Sequence, residues 1–220
     1  MPQSPALSAA PTRRQGASVN LTEPRAARTH EALTTALFVL LDEHDLTEIS
    51  ISELCRTAGV HRTTFYGHYA DIYAFAGDSF GSILDQLADL DQLDAGQQSA
   101  SVEAITASYY DSVRAILAHI LEHRRAYRMM FSTRVDAGFR RELHQRLLRH
   151  ADVAVANWRR FGLAQDVDPE SAAAFIAGGS VGVLEQWALS NATDVDRAAA
   201  DIVGTTEAWL ESRRLAESQA

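Results

Sequence analysis

Residues 49–75 constrain this 220-residue chain more than any other stretch, because they predict two short helices joined by a tight turn. Ser50 is a helix-capping residue and Glu53 follows three positions later, a spacing that predicts a capping box at the start of a helix. Gly59 supplies the permissive backbone that a sharp helix end requires. A second helix over residues 61–66 is rich in hydrogen-bonding side chains. The pattern therefore predicts a helix-turn-helix whose second helix can enter a DNA major groove.

The first short helix has one apolar face, formed by Ile51, Leu54, Cys55 and Ala58 at helical spacing. Cys55 is the single cysteine of the chain, which excludes an internal disulfide and any multi-cysteine metal site. Its position on the apolar face predicts a small buried side chain rather than a redox sensor.

The same stretch contains Ala-Gly-Val, then Phe-Tyr, then His followed by an aromatic residue, a spacing more selective than a generic helix-turn-helix. The residues that carry it are Ala58, Gly59, Val60, Arg62, Thr64, Phe65, Tyr66, His68 and Tyr69. They resemble the N-terminal DNA-binding domain of the TetR family of bacterial transcriptional regulators. The resemblance implies a ligand-responsive regulator, and we expect a repressor that binds a pseudo-palindromic operator as a homodimer. It also implies a small-molecule inducer that binds the C-terminal helices.

One position departs from the family pattern. Members usually carry a lysine directly after the small polar residue that begins their fourth helix, where its charge meets a DNA phosphate. Here Asp71 is followed by Ile72. A lost phosphate contact weakens binding to all DNA sequences alike, so we expect a lysine at position 72 to tighten specific and nonspecific binding together.

Seven side chains are candidates for DNA contact by their place in the motif: Ser50, His61, Arg62, Thr63, Thr64, Tyr66 and His68. Arginine can bind guanine through two hydrogen bonds, and a threonine methyl can contact a thymine methyl. We therefore assign Arg62 and the two threonines to base edges. Ser50, Tyr66 and His68 are assigned to phosphates.

The net charge of −9 opposes binding to a polyanion, but the charge is unevenly distributed. Residues 1–70 hold six arginines and seven acidic residues, whereas residues 71–220 hold fourteen arginines and twenty-two acidic residues. The acidity therefore belongs to the C-terminal part. Four arginines precede most of the acids of the first segment, so a local positive field can still face phosphate.

Helical periodicity runs through the rest of the chain, and no segment shows strand alternation bounded by turns. The sequence predicts an all-α protein of about nine helices. We expect a disordered arm over residues 1–24, a three-helix DNA-binding domain over residues 25–70, and a larger helical ligand-binding and dimerisation domain over residues 71–220. No stretch approaches the uninterrupted apolar length of a membrane span, so we expect a cytoplasmic protein without a membrane partner.

Two groups of C-terminal residues have alternative interpretations. A ligand pocket in the body is predicted to involve Tyr109, Tyr110, His119, Met129, Met130, Phe131 and Trp158, although Met and aromatic stripes also form plain core. The resemblance places a dimer interface on the last two long helices, with candidates Gly178, Gly179, Val183, Trp187, Trp209 and Leu210. The alternative for these residues is intrachain core, because apolar stripes serve both uses.

No cofactor or metal is predicted. His119 and His123 are four residues apart on one helical face and can chelate, but no third ligand is forced near them by the sequence. Solvated or hydrogen-bonded histidines are therefore the preferred interpretation. No set of nucleophile, base and orienting residue is apparent, which argues against an enzyme. A helical ligand- or protein-binding module that has lost DNA affinity is the alternative function.

Overall fold

The computed structural model describes residues 24–88, 102–132, 136–162, 165 and 167–217. The helices of these ranges are α1 (Pro24–Glu43), α2 (Ile51–Thr57), α3 (Arg62–His68), α4 (Ile72–Leu87), α5 (Val102–Glu122), α6 (Arg124–Met130), α7 (Asp136–Arg160), α8 (Pro169–Leu189) and α9 (Val195–Glu217). The described residues contain no strand, so the predicted all-α class is confirmed. The predicted N-terminal arm lies outside the described residues, except for Pro24, which begins α1. The domain boundaries stay a prediction.

Helix starts follow the caps that the sequence predicts. At the start of α4, the Asp71 carboxylate accepts a hydrogen bond from the Ala74 backbone N–H at 2.8 Å. At the start of α8, the Asp168 carboxylate accepts from the Ser171 N–H at 2.8 Å, and Pro169 occupies the first helical position. A proline fits there because the N–H that it lacks would have no partner within the helix.

One cluster of buried side chains joins the first four helices to the body. It includes Leu37 of α1, Phe65 of α3, Phe80 of α4, Leu117 of α5 and Tyr127 of α6, all of them essentially inaccessible to solvent. The rings of Phe80 and Tyr127 pack edge to face, with their centroids 4.7 Å apart. Each buried side chain of this size contributes about 1.5–3 kcal/mol to folding. We call α1–α3, the predicted DNA-binding helices, the reader, and the helices from α5 onward the body. The reader and the body therefore share one core, and α4 connects them.

A second, smaller cluster lies between α7 and α8. Its buried members are small: Ala151, Val155, Ala172, Ala173 and Ala177. Small side chains let two helix backbones approach closely, which accounts for the long contact between these two helices.

Helix α8 is an exception to the expectation that no stretch approaches the apolar length of a membrane span. By length and composition α8 would suffice to cross a membrane, yet only 33% of its most apolar 18-residue window is buried. On one side it is seated in the helical bundle, because Glu185 forms an ion pair with Arg140 of α7 and the Trp187 indole N–H donates to the Leu117 carbonyl at 2.9 Å. On the other side its apolar surface is open.

Candidate nucleic-acid interface

The turn between α2 and α3 is closed by two backbone hydrogen bonds at the end of α2. The Val60 N–H donates to the Cys55 carbonyl at 2.9 Å, and the Gly59 N–H donates to the Arg56 carbonyl at 3.2 Å. This pair of bonds is a Schellman motif, which requires a left-handed residue at its centre. Gly59 has a φ of +66°. A Cβ at Gly59 would meet no atom within 4 Å, so the backbone conformation, and not the available space, requires glycine here.

Of the two hydrogen bonds of the predicted capping box at the start of α2, the one to the serine hydroxyl is present. The Ser50 Oγ accepts a hydrogen bond from the Glu53 N–H at 3.1 Å. The Glu53 carboxylate lies 3.9 Å from the Arg56 guanidinium instead of returning to the Ser50 N–H. Ser50 is exposed, and its hydroxyl proton is available for an outside acceptor such as a phosphate oxygen.

Helix α3 has a buried side and an exposed side. Phe65 is fully buried, whereas Tyr66, the next residue, is 50% exposed. Arg62, Thr63 and Tyr66 are exposed, and Tyr66 follows Arg62 by four residues and Thr63 by three, which is the spacing of neighbours on one helical face. Six of the seven predicted DNA-contacting residues are exposed, and Thr64 is half-buried: Ser50, His61, Arg62, Thr63, Tyr66 and His68 are the exposed six. The exposed side of α3 thus presents a guanidinium and several hydroxyl and imidazole groups.

An aromatic cluster fixes the orientation of α3. The centroid of the Phe65 ring lies 5.7 Å from that of Tyr69 and 5.6 Å from that of Phe75, and the Tyr69 and Phe75 centroids are 4.9 Å apart. Aromatic pairs in tilted and edge-to-face geometry add about 0.5–1.5 kcal/mol each beyond their buried area. The face of α3 opposite this cluster is therefore held toward solvent.

The start of α4 bears on position 72, where the effect of a lysine on DNA binding stays a prediction. Ile72 is only 7% exposed and belongs to the main core, whereas Tyr73 is 42% exposed. A lysine at position 72 would have to place its stem in the core before its charge could reach a phosphate.

We expect Ile72→Lys to lower the free energy of unfolding by at least about 2 kcal/mol, because it inserts a charged group beside apolar neighbours. Tyr73→Lys is the matched control on the same turn, and we expect it to change stability by no more than about 0.5 kcal/mol because Tyr73 is exposed. Urea denaturation of both variants measures the difference. Equal unfolding midpoints for the two variants would contradict the placement of Ile72 in the core.

A buried charge network connects this reader to the body through Asp78 of α4. The Tyr69 hydroxyl donates to the Asp78 carboxylate at 2.6 Å, and the His30 Nε2 of α1 lies 3.4 Å from it. Arg146 of α7 pairs with the other carboxylate oxygen. One carboxylate therefore contacts α1, α7 and the end of α3.

Arg146 is the centre of the network on the body side. Its side chain is 10% exposed and pairs with Asp78, Asp85 and Glu142, the last at 2.9 Å. A Cβ at Gly81 of α4 would collide with the Arg146 side chain, so a larger residue at this position would displace the guanidinium from its present place.

The ionisation of the network follows from its partners. Burial by itself would raise the pKa of Asp78, but its contacts with His30 and Tyr69 and the charge of Arg146 hold that pKa below its ordinary value. Burial opposes ionisation of Asp85 too, while the hydrogen bond from His150 and the charge of Arg146 lower its pKa. Both carboxylates are thus charged at neutral pH. The feature of the sequence that could have indicated this network is the pair Asp78 and Asp85, seven residues apart on an otherwise apolar helix with Gly81 between them.

The structure does not bring the seven predicted ligand-pocket residues into one cavity of the described chain. Met130 and Phe131 are buried in the main core, and Trp158 packs against the separate cluster between α7 and α8. An open groove of about 610 Å³ lies between α5 and α9, and Tyr110 is the predicted residue that lines it. The plain-core alternative is supported for Met130 and Phe131.

The predicted interface residues differ in their exposure to solvent. Gly178 and Gly179 are exposed, and a Cβ at either position would meet no atom within 4 Å. Val183 is half-buried. Trp187 is 6% exposed, and the Arg124 guanidinium covers its indole ring at 5.3 Å from the ring centroid. This burial supports the intrachain alternative for Trp187. The side chains of Trp209 and Leu210 lie outside the described residues.

A group that the sequence analysis did not assemble lies at the end of α5. The His119 and His123 ring centroids are 4.7 Å apart, and Glu122 offers a carboxylate oxygen beside them. Burial and then the proximity of His123 lower the pKa of His119 to about 4, so this imidazole is neutral at physiological pH. The overlooked signal was Glu122, three residues after His119 on the same helical face.

Several solved structures share this architecture. The dihydroxyacetone kinase operon activator DhaS aligns over 83% of this chain and 96% of its own, with a TM-score of 0.59 and 14% sequence identity. AlkX from Dietzia sp., a TetR family repressor implicated in n-alkane biodegradation, aligns over 82% of this chain and 97% of its own, with a TM-score of 0.57 and 14% identity. SmeT, the repressor of a Stenotrophomonas maltophilia multidrug efflux pump, aligns over 82% and 91%, with a TM-score of 0.55 and 20% identity.

No protein-family model matches the chain, and no curated protein matches it by sequence. At these identities the structural likeness shows the fold. The described part of the chain has the all-helical fold of TetR-like regulators, with the helix-turn-helix at its N-terminal end.

Proposed function

We propose that this protein is a cytoplasmic, sequence-specific DNA-binding transcriptional regulator of the TetR type. The observation that carries the proposal is the exposed face of α3, where Arg62, Thr63 and Tyr66 project from a helix anchored by the buried Phe65. The fold shared with solved regulators supports it.

The dimensions of α3 suit a major groove. A helix with its side chains is about 10–12 Å across, and the groove is about 12 Å wide. The seven residues of α3 extend over about 10 Å along its axis. In a two-fold dimer the two copies of α3 must enter successive major grooves, about 34–36 Å apart. We propose that Arg62 and the adjacent threonines read base edges, whereas Ser50, Tyr66 and His68 bind phosphates on either side.

The direct test is selection of bound duplexes from a random DNA pool by the purified full-length protein. We expect enrichment of a pseudo-palindrome whose half-sites are about one helical turn apart. Binding should persist at about 0.15 M salt and tolerate competitor DNA, because base contacts add to the salt-sensitive phosphate contacts. Recovery of only unrelated sequences with salt-labile binding would refute the proposal.

The net charge of −9 and the apolar residue at position 72 favour one other function, a ligand- or protein-binding module that kept the fold and lost DNA affinity. The retained Arg62, Tyr66 and His68 on the exposed side of α3 argue for the reader. The selection experiment separates the two, since the module would enrich no sequence.

We propose that α8 and α9 of two copies pair to form the homodimer. The support is the open side of α8, which is apolar yet mostly uncovered within the described chain. Gly178, Gly179 and Gly182 are exposed there, and Leu189 is 51% exposed. Small residues at these positions would let a second helix backbone approach, and apolar surface of this extent needs a cover in water.

We expect Gly179→Arg to convert the dimer to a monomer. Within one chain the new side chain meets no obstacle, and replacing an interior helical glycine should strengthen α8 by about 0.5–1 kcal/mol. In a dimer the arginine would enter the contact between subunits. Sedimentation equilibrium at micromolar concentration measures the mass. Gly138→Arg is the control, because Gly138 is also an exposed helical glycine with open space, on α7. A wild-type monomer, or an unchanged Gly179→Arg dimer, would contradict the interface.

We propose further that the protein is a repressor regulated by a small-molecule inducer. The network around Asp78 supports a route for the signal, because Arg146 of the body and Tyr69 of the reader bind the same carboxylate. A ligand that prefers a shifted position of α7 would move α4 and the separation of the two α3 helices, and so lower operator affinity.

A further inference from the structure

We propose that His119, Glu122 and His123 form a binding site for one divalent first-row transition-metal ion, of the Zn²⁺ class, at the end of α5. The inference is independent of the proposed DNA-binding function. Each residue offers one ligand atom, and the three atoms lie within 4.8 Å of one another. Ligand atoms that share a tetrahedral metal ion at about 2.0–2.2 Å lie about 3.3–3.6 Å apart, so side-chain rotations that draw the three atoms together by about 1 Å complete the site.

The donor set determines the kind of ion. Two imidazoles and one carboxylate are a set that Zn²⁺ uses with an open fourth position, whereas Mg²⁺ and Ca²⁺ prefer oxygen ligands. The spacing His-x-x-Glu-His from position 119 to 123 is also found in one class of zinc peptidases, which shows that two histidines so placed can bind one ion.

His119 carries the strongest sign of an unfilled role. Its Nε2 atom is buried and has no hydrogen-bond partner among the described residues. A buried polar atom without a partner costs about 1–3 kcal/mol. A metal ion can be that partner, because a neutral imidazole nitrogen donates its lone pair to it.

The surroundings hold the two rings in place. Phe38 of α1 packs against both, with its ring centroid 5.7 Å from that of His119 and 4.6 Å from that of His123. The ring of Tyr127 lies edge-on to His119 at 5.7 Å. Such packing reduces the side-chain entropy that the histidines would lose on binding an ion.

The two arginines that follow His123 in the chain have other partners. Arg124 donates to the Ala192 carbonyl and covers the ring of Trp187. Arg125 donates to the Asp42 carbonyl at the end of α1 and lies 3.7 Å from the Asp45 carboxylate. Neither guanidinium needs to be displaced for an ion to enter, and the exposed Glu122 marks the side of entry.

The test is calorimetric titration of the full-length, EDTA-treated and dialysed protein with Zn²⁺, with visible absorption of the Co²⁺ complex as a second readout. We expect one ion per subunit. His119→Ala and His123→Ala should weaken binding by more than the roughly 10- to 100-fold that loss of an outer-shell partner costs. Glu122→Gln should weaken it about 10-fold, because a neutral amide oxygen replaces a carboxylate. Zn²⁺ at 100 times its Kd should raise the Tm of the wild type by about 5–10 °C.

His144→Ala is the control, since His144 is a half-buried histidine of another helix, α7, and is not a member of this group. Glu122 is exposed, so the Glu122→Gln variant keeps its fold and keeps the test decisive if a histidine variant unfolds. Wild-type binding no tighter than that of Glu122→Gln and His119→Ala, or binding that is lost in His144→Ala, would overturn the site.

Discussion

Replacing Arg146 by methionine is expected to lower the free energy of unfolding by about 3–5 kcal/mol, the usual effect of removing one partner from a buried ion pair. The Arg146 side chain is 10% exposed and forms ion pairs with Asp78, Asp85 and Glu142. Methionine fills similar space but leaves these carboxylates without their cation. Urea denaturation at pH 7.5 measures the loss, and Arg141→Met, on the exposed side of the same helix, should change stability by no more than about 0.5 kcal/mol.

The pH dependence of this loss distinguishes charge from packing. In the wild type the pKa values of Asp78 and Asp85 are lowered, so their contribution is present above the ordinary Asp pKa and is lost as the pH falls through the lowered values. In the variant, burial without the cation raises these pKa values, so protonation on acidification relieves the unpaired charges. We therefore expect the difference between the two proteins to shrink at acidic pH. A difference that is constant with pH would assign the effect to packing alone.

Arg62→Ala is expected to weaken specific operator binding by about 2–6 kcal/mol, roughly 30-fold to 2 × 10⁴-fold. Each bidentate arginine–guanine contact contributes about 1–3 kcal/mol of discrimination, and a dimer makes two such contacts. Nonspecific affinity should fall far less, because Arg62 is assigned to a base edge. Fluorescence anisotropy with the selected operator and with a scrambled duplex, at one salt concentration, measures both losses.

Arg141→Ala is the control for this prediction, because Arg141 is an exposed arginine of α7, outside both the reader and the proposed α8–α9 interface. We expect it to leave the ratio of specific to nonspecific affinity unchanged. If Arg62→Ala also leaves this ratio unchanged, Arg62 does not read sequence, and the loss belongs to phosphate contacts alone.

Arg62 and Arg146 lie at the two ends of one chain of contacts. Arg62 stands on the exposed side of α3, and Tyr69, one residue after the end of α3, reaches Asp78 and through it Arg146. A change at Arg146 can therefore reach the reader through two hydrogen-bonded steps. Operator affinity of the Arg146→Met variant, measured where it is still folded, would show how strongly the body and the reader are coupled.

Much of the fold could be predicted from sequence because the signals are local. Ser50, Asp71 and Asp168 each bond to a backbone N–H three residues later, so the starts of α2, α4 and α8 follow from a few neighbouring residues. Gly59 ends α2 for an equally local reason, its positive φ. The exposed residues of the candidate reader also follow from helical spacing once Phe65 is placed inward.

Long-range partners could not be predicted in this way. Helical periodicity marks Ile72 and Trp187 as apolar positions, but only the packing of α4 and α8 against their neighbours shows that both are interior. The same is true of the charges. Nothing near Arg146 in the sequence indicates that it pairs with Asp78, 68 residues away, across the space left by Gly81.

The sequence by itself determined where the helices begin and end and which motif the N-terminal part carries, because caps, turns and periodicity act over three to five residues. Only the tertiary structure decided which polar groups meet: Asp78 with Tyr69 and Arg146, and the ring of His119 with that of Phe38. Those contacts depend on how helices distant in the chain pack together, and burial then determines their charge and their strength.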